Sequence, residues 1–363
     1  MQKTSLFPIL YKKGMGYINQ VEEIVIEPRN WLACPFVENL ARVKVEERWG
    51  FIDQAGRFVI SLQDFTSVND FCEGLALVAK DGRYGYIDRH GHLVVSPQFD
   101  FADDFSEGLA VVQVDQLWGY IDSSGQFAIA PRFQGACDFR QGLARVVDNH
   151  GWHFINRAGE IAIPSQFDFV RDFSEGFAAI KKQNRWGFIN QTGQLVIALA
   201  FDEAWNFSEG LARVRVGQKW GYIDSFGDFQ IPPQFEQARE FAEGLAVGKV
   251  RERWGYINSS GEFVIAPTFR NAESFSGGLA KVALGSSVAS AYIDKTGKVI
   301  TIENVGFWLN LLGSSFVRLS EFSNGFLYRM GIVAFFFWDV LVPCWEAYEW
   351  VKKKIRLSGS DKI

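Results

Sequence analysis

Four histidines are the most versatile chemical groups in the chain: His90 and His92 in "DRHGHL", and His150 and His153 in "NHGWHF". Imidazoles this close in sequence hold a metal ion only when their nitrogens and a further donor aim at one point. The two groups belong to opposite ends of different strand units, so they are not expected to converge. They read as surface or filler residues, and no metal or other cofactor is expected. His153 is singled out because it replaces a glycine that the clear copies of its motif keep. A broken local rule tends to mark strain or function, so His153 is a candidate partner contact. No phosphate-cradling glycine loop, no nucleophile elbow and no paired-cysteine motif occurs. The chain reads as a non-enzyme.

The remaining chemistry comes in rows. Trp49, Trp118, Trp152, Trp186, Trp220 and Trp254 would stack on sugars if exposed, but large aromatics in register in a stacked array read first as core. Glu73, Glu107, Glu175, Glu209 and Glu243, each before a glycine, form an acidic row. It lacks the dense Asp-Gly spacing of calcium-binding repeats, so turn and rim roles are assigned to it. A cationic row at the other end comprises Arg48, Arg83, Arg185, Lys219 and Arg253. Ion pairs Arg83–Asp100, Arg185–Asp202 and Lys219–Glu236 are expected, each worth about 0–1 kcal/mol if exposed. Leu117 replaces the cation where Gln134 replaces the acid. Arg253 meets Arg270 instead of an acid, which makes these two the best candidates for an anion or partner contact.

A repeat must position these rows. The glycine after Trp, or its equivalent, falls at Gly16, Gly50, Gly85, Gly119, His153, Gly187, Gly221, Gly255 and Ala291, in steps of 34 to 36 residues. In the copy from Phe105, "LAVVQV", "WGYID" and "QFAIAPRF" alternate at strand period, and "QGACD" reads as a connection. Asp or Asn ending the second strand (Asp53, Asp88, Asp122, Asn156, Asn190, Asp224, Asn258, Asp294), with a glycine soon after, is turn chemistry. The glycine after Trp is expected to leave one sheet face flat for a neighbouring layer. Pro97, Pro131 and Pro267 are expected to mark where pairing stops.

The elements "WGYID..G", "FSEGLA" and "I.P.F" resemble the WG-repeat family, also called KWG repeats, over about residues 3–300. The resemblance implies a bacterial-type tandem β-repeat, generally of unknown role, that binds something.

The fold expected is all-β: tandem three-stranded repeats of about 34 residues, stacked as an open solenoid or superhelix, followed by a short C-terminal helical segment. A β-propeller is the alternative, but its blades usually have four strands, and the first copy carries three of its own. About nine units fill 3–302, the first and last degenerate; 303–329 is a degenerate terminal unit; 330–363 is an apolar, aromatic segment with an amphipathic basic helix. The apolar run from Met330 is broken by Asp339 and Pro343, so no spanning helix is expected. Trp345, Trp350, Lys352, Lys353, Lys354 and Arg356 are candidates for docking on an anionic membrane or a partner. A terminal cap over the last unit is the other reading.

The net charge of −5 argues against nucleic acid, and four cysteines without metal spacing fit a reducing compartment. The N-terminus shows no secretory signal pattern. These observations point to a cytoplasmic scaffold for an unknown protein partner, with peripheral contact at the inner membrane surface through the C-terminus as an addition. The alternative is an envelope-associated or glycan-recognising module, which solvent-exposed tryptophans would favour.

Overall fold

A computed structural model describes residues 5–11, 14–21, 23–284 and 290–303. Among these the chain is all β and forms nine antiparallel sheets. Blades 1 to 9 span 7–29, 32–61, 67–99, 101–133, 135–167, 169–201, 203–235, 237–269 and 271–303. The expected C-terminal helix, with Trp345, Trp350, Lys352, Lys353, Lys354 and Arg356, lies outside the described residues. No helix among the described residues is long and apolar enough to cross a membrane.

Blade 4 shows the unit. Its strands are Phe101–Ala102, Ala110–Val114, Leu117–Ile121 and Phe127–Phe133, paired in that order. The three strands legible in the sequence are the outer three. The expected connection contains a fourth, innermost strand of two residues, too short to show a period. Each of the other blades but blade 1 also has four strands; blade 1 has three among the described residues.

This extra strand is why the open solenoid gives way to a closed ring. Consecutive blades pack face to face. The Trp/Tyr face of blade 4, with Val111, Tyr120, Ile129 and Phe133, meets Phe139, Ala144, Val146 and Ile155 of blade 5. The Tyr120 and Phe139 rings sit edge-on at 4.9 Å, a geometry that aromatic quadrupoles favour. Innermost strands bury small residues (Ala102, Ala204, Ala238, Ala272), so the blades can converge there. The nine blades meet end to end: Ile9 and Ile18 of blade 1 share a buried cluster with Leu279 and Ile300 of blade 9. Phe7 and Tyr292 touch at 5.8 Å. The molecule is a nine-bladed β-propeller.

The "FSEG" opening is the device that ties blade to blade. Glu107 and Gly108 both have positive φ, 54° and 78°, in a two-residue hairpin closed by Ser106 N to Leu109 O at 2.9 Å. Such primed turns match the twist of the strands, but a non-glycine residue in this region costs about 1 kcal/mol. The Glu side chain offsets that cost. The Glu73 carboxylate accepts N–H bonds from Glu107 and Gly108 of the next blade, each at 2.7 Å. Glu175 does the same for Glu209 and Gly210. The ladder runs from Glu38, which takes the Gly74 N–H, to Glu243, which takes the Gly278 N–H. Gln20 of blade 1 then donates to the Gly277 carbonyl and joins the ends. The Ser106 hydroxyl donates to the Phe139 carbonyl of the next blade at 2.8 Å.

The glycine after Trp has a different task from the one its position suggests. The outer strand bulges between the pairs Trp118↔Phe133 and Tyr120↔Ile129. A Cβ on Gly119 would lie 2.6 Å from the Ile129 oxygen and 2.7 Å from the Pro131 nitrogen. The close neighbour is therefore the blade's own bulge, not the next layer. Pro131 sits inside that bulge, where its missing N–H costs no ladder bond, and pairing resumes at Phe133 rather than stopping.

Candidate functional site

The Asp/Asn turns behave as expected. Asp122 Oδ1 accepts from Ser124 N and Gln126 N, and the same pattern recurs at Asp53, Asn190 and Asn258. Arg185 and Asp202 pair at 2.8 Å, and Arg83 pairs with Asp100. These acids also hold the next blade's hairpin: Asp202 Oδ2 accepts from Gly217 N, and Asp100 Oδ2 from Asp115 N. Glu236 spends both oxygens on Arg251 N and Glu252 N, and Lys219 acts on it only through space. Arg253 and Arg270 are both exposed on this rim. His153 is only 3 % exposed, packed near Phe133 of the preceding blade. Its side chain therefore has little surface to offer a partner.

The Trp row is covered. Trp186 and Trp254 are buried and the others half-buried. Guanidinium groups lie over five of the six: Arg42 over Trp49, Arg145 over Trp152, Arg171 over Trp186, Arg213 over Trp220 and Arg239 over Trp254, while Trp118 meets the Phe101 ring edge-on at 5.3 Å. This arrangement leaves no open row of rings for sugars.

The innermost strands carry a feature that the sequence reading missed. The two residues before each opening Phe sit at the inner edge of the sheets. The residue next to the Phe answers the third residue of the "LAR" strand in the preceding blade. Arg42 pairs with Asp70 at 3.2 Å, Arg145 with Asp172 at 2.6 Å and Arg213 with Glu240 at 3.0 Å. Where the preceding blade offers Ala179 or Val247, the answering residue is neutral, Asn206 or Ser274. Two positions break the rule. Asp104 follows Leu77 and Asp138 follows Val111, so each acid lacks its arginine. The signal was in the sequence, as a pairing across about 28 residues between two motifs, and it becomes visible only once the neighbouring blades are known to touch.

The electrostatics follow. Desolvation, aided by the neighbouring Asp103 charge, pushes Asp138 up to about 7, with Arg140 at 3.6 Å pulling the other way. Burial also raises Asp104. On the next blades the sign reverses. The Arg171 guanidinium lies 3.7 Å from the centre of the Trp205 ring and Arg213 lies 4.2 Å from it. Burial, with the Arg213 and Arg145 charges, lowers Arg171 to about 10 against the pull of Glu203. Arg171 also feels Glu240, two blades on, as expected of groups gathered near the ring axis. Asn206 Oδ1, Arg213 Nε and Arg239 Nε are buried without a hydrogen-bond partner, an arrangement that costs about 1–3 kcal/mol per group unless something satisfies it. The belt thus has an acidic arc (Asp103, Asp104, Asp138) beside a cationic and aromatic arc (Arg171, Trp205, Arg213, Arg239).

The chain belongs to the family of the WG containing repeat, whose model matches eight consecutive copies: 15–49, 49–84, 84–118, 118–152, 152–186, 186–220, 220–250 and 254–286. Each copy begins at the Trp position of one blade, or its equivalent, and ends in the next blade, so each straddles two blades, and eight of them accompany nine blades. No curated protein sequence matches the chain. Among solved structures, one titled "Crystal structure of the eukaryotic initiation factor" is similar in fold, with a TM-score of 0.62 at 14% identity, over 84% of this chain and 96% of that one. A second, a dihydro-heme d1 dehydrogenase NirN in complex with DHE, aligns at a TM-score of 0.46 and 13% identity, over 73% of each chain.

Proposed function

We propose that this protein is a non-enzymatic binding scaffold whose axial belt receives a polypeptide partner carrying charges of both signs. One observation carries the reading: at the inner edge Asp104 and Asp138 lack the arginine that the rule supplies elsewhere, and on other blades of the same edge Asn206 Oδ1, Arg213 Nε and Arg239 Nε are buried without a hydrogen-bond partner. A bound segment that placed a cation against Asp104 and Asp138, and a carboxylate against Arg213 and Arg239, would satisfy both arcs. The covered tryptophans favour this reading over glycan recognition. Arg253 and Arg270 on the rim offer a second contact for an acidic partner. The free thiols of Cys34, Cys72 and Cys137 suit a reducing, cytoplasmic setting.

The test is quantitative affinity capture from native lysate with three baits: the full chain, the same chain with Asp104→Asn and Asp138→Asn, and the chain with Arg253→Ala and Arg270→Ala. Thermal melts confirm that each bait is folded. A stoichiometric protein held by the first bait and lost from the second supports the axial reading. Loss from the third alone moves the contact to the rim. Capture equal with all three contradicts both assignments.

A further inference from the structure

The hairpin turn of blade 3 differs from its sisters in a way that its turn duty does not explain. Asp88 Oδ1 accepts from His90 N at 2.8 Å and His92 N at 2.9 Å, as the Asp or Asn does in the other turns. Its second oxygen is not needed for that bond pair. Asp88 Oδ2 instead lies 3.7 Å from His90 Nδ1 and 3.4 Å from His92 Nδ1. The three donor atoms all fall within 4.8 Å of one another. The two imidazole rings are nearly parallel, 19° apart, with centroids 5.9 Å apart. No other turn at this position carries a histidine; the sister sequences are "NQVEE", "DQAGR", "DSSGQ", "NRAGE", "NQTGQ", "DSFGD", "NSSGE" and "DKTGK".

The spacing has a physical meaning. Zinc binds imidazole nitrogen and carboxylate oxygen at about 2.0–2.2 Å with tetrahedral angles, which sets neighbouring donors about 3.3–3.6 Å apart. An octahedral ion at that distance would draw them to about 3 Å. The two oxygen-to-nitrogen separations, 3.4 and 3.7 Å, lie nearer the tetrahedral edge than the octahedral one. The donor set, two imidazoles and one carboxylate, is one that zinc accepts. The second group of histidines does not reproduce it: His150 Nδ1 faces Asp148 Oδ1, while His153 Nε2 faces Asp148 Oδ2, so the two rings take opposite oxygens.

We propose that Asp88, His90 and His92 form a divalent transition-metal site, with zinc the preferred ion. Three ligands from one turn leave a coordination position open to solvent. Both histidine side chains are about four-fifths exposed, at 80% and 78%, so the ion reaches the site without any rearrangement of the ring, and the open position faces outward.

The test uses the full chain and two probes, Zn²⁺ by titration calorimetry and Co²⁺ by visible absorption, where a tetrahedral site gives an intense ligand-field band. The variants are His90→Ala, His92→Ala, Asp88→Asn and, as a control, His150→Ala. Asparagine serves the same turn in four sister blades, at Asn19, Asn156, Asn190 and Asn258, so Asp88→Asn keeps the fold and removes only the anionic donor. The expected result is one equivalent of Zn²⁺ that competes with the Co²⁺ band. Affinity should fall at least about 100-fold in each histidine variant and about tenfold or more in Asp88→Asn, with no change in His150→Ala. Absence of a saturable equivalent in the wild-type chain would overturn the proposal. So would an equivalent that survives in both His90→Ala and His92→Ala, since the ion would then sit elsewhere.

Discussion

At the scale of single residues, the acids are distinguished by what each one answers. Glu175 sits at φ 53° and accepts two N–H groups from the next blade. Glu175→Ala keeps the backbone strain and strips both bonds, so it should lower stability by about 1–2 kcal/mol. Glu175→Gly strips the same bonds but relieves the strain, so it should lose less, by about 1 kcal/mol. Urea titration of the two variants measures the difference, and equal losses would show that strain is absent. Blade 9 already carries Gly277 at this position, with φ 61°. Asp138 makes the opposite case. Its carboxyl is raised to about 7 in the folded ring from an ordinary 3.8. Between about pH 4 and pH 7 the unfolded chain has released this proton and the folded chain has kept it, so Asp138 lowers stability progressively as pH rises through that window. Asp138→Asn should therefore stabilise the protein at pH 8 more than at pH 5, as the shift in urea midpoint will report. A variant equally displaced at both pH values would contradict the burial of an acid whose desolvation outweighs its pairing with Arg140.

At the scale of elements, the Trp-Gly pair and the outer-strand proline explain each other. Gly119 gives up its Cβ so that the Pro131 bulge can lie against it, and Gly221 stands in the same relation to Pro233. Gly119→Ala should cost about 3 kcal/mol, because rigid backbone blocks the new methyl. Gly142→Ala meets nothing within 4 Å but keeps a φ of 81°, so its cost should stay near 1 kcal/mol. Thermal melts should rank the two in that order. The sequence made the outer three strands legible because alternation needs only four or five residues to register. The innermost strand, two residues in blade 4, left no period to read. That one omission turned a four-stranded blade into a three-stranded unit and favoured the open array. Asp104, Asp138 and Arg171 follow just after such short strands, and Trp205 lies in the corresponding strand of blade 7, so the candidate site was hidden with them, while the exposed Arg253 and Arg270 were readable from a missing acid alone.

At the scale of the molecule, closure turns a stack of sheets into a binding geometry. An open array of these blades would have two exposed end faces and no axis; the ring spends its end faces on each other, through Ile9, Ile18, Leu279 and Ile300. The axial belt exists only if that closure holds, which makes the distance between the ends the most direct test. Spin labels on non-natural side chains at Val21 of blade 1 and Ser276 of blade 9, which leave the native thiols untouched, allow it to be measured by dipolar spectroscopy. Both positions are exposed, and their neighbours Gln20 and Gly277 are hydrogen-bonded to each other. The closed ring predicts a single narrow distribution within about 30 Å, three sheet spacings. Eight steps of about 10 Å between stacked sheets would instead separate the labels by on the order of 80 Å, and a distribution beyond the measurable range would contradict both the ring and the belt it creates.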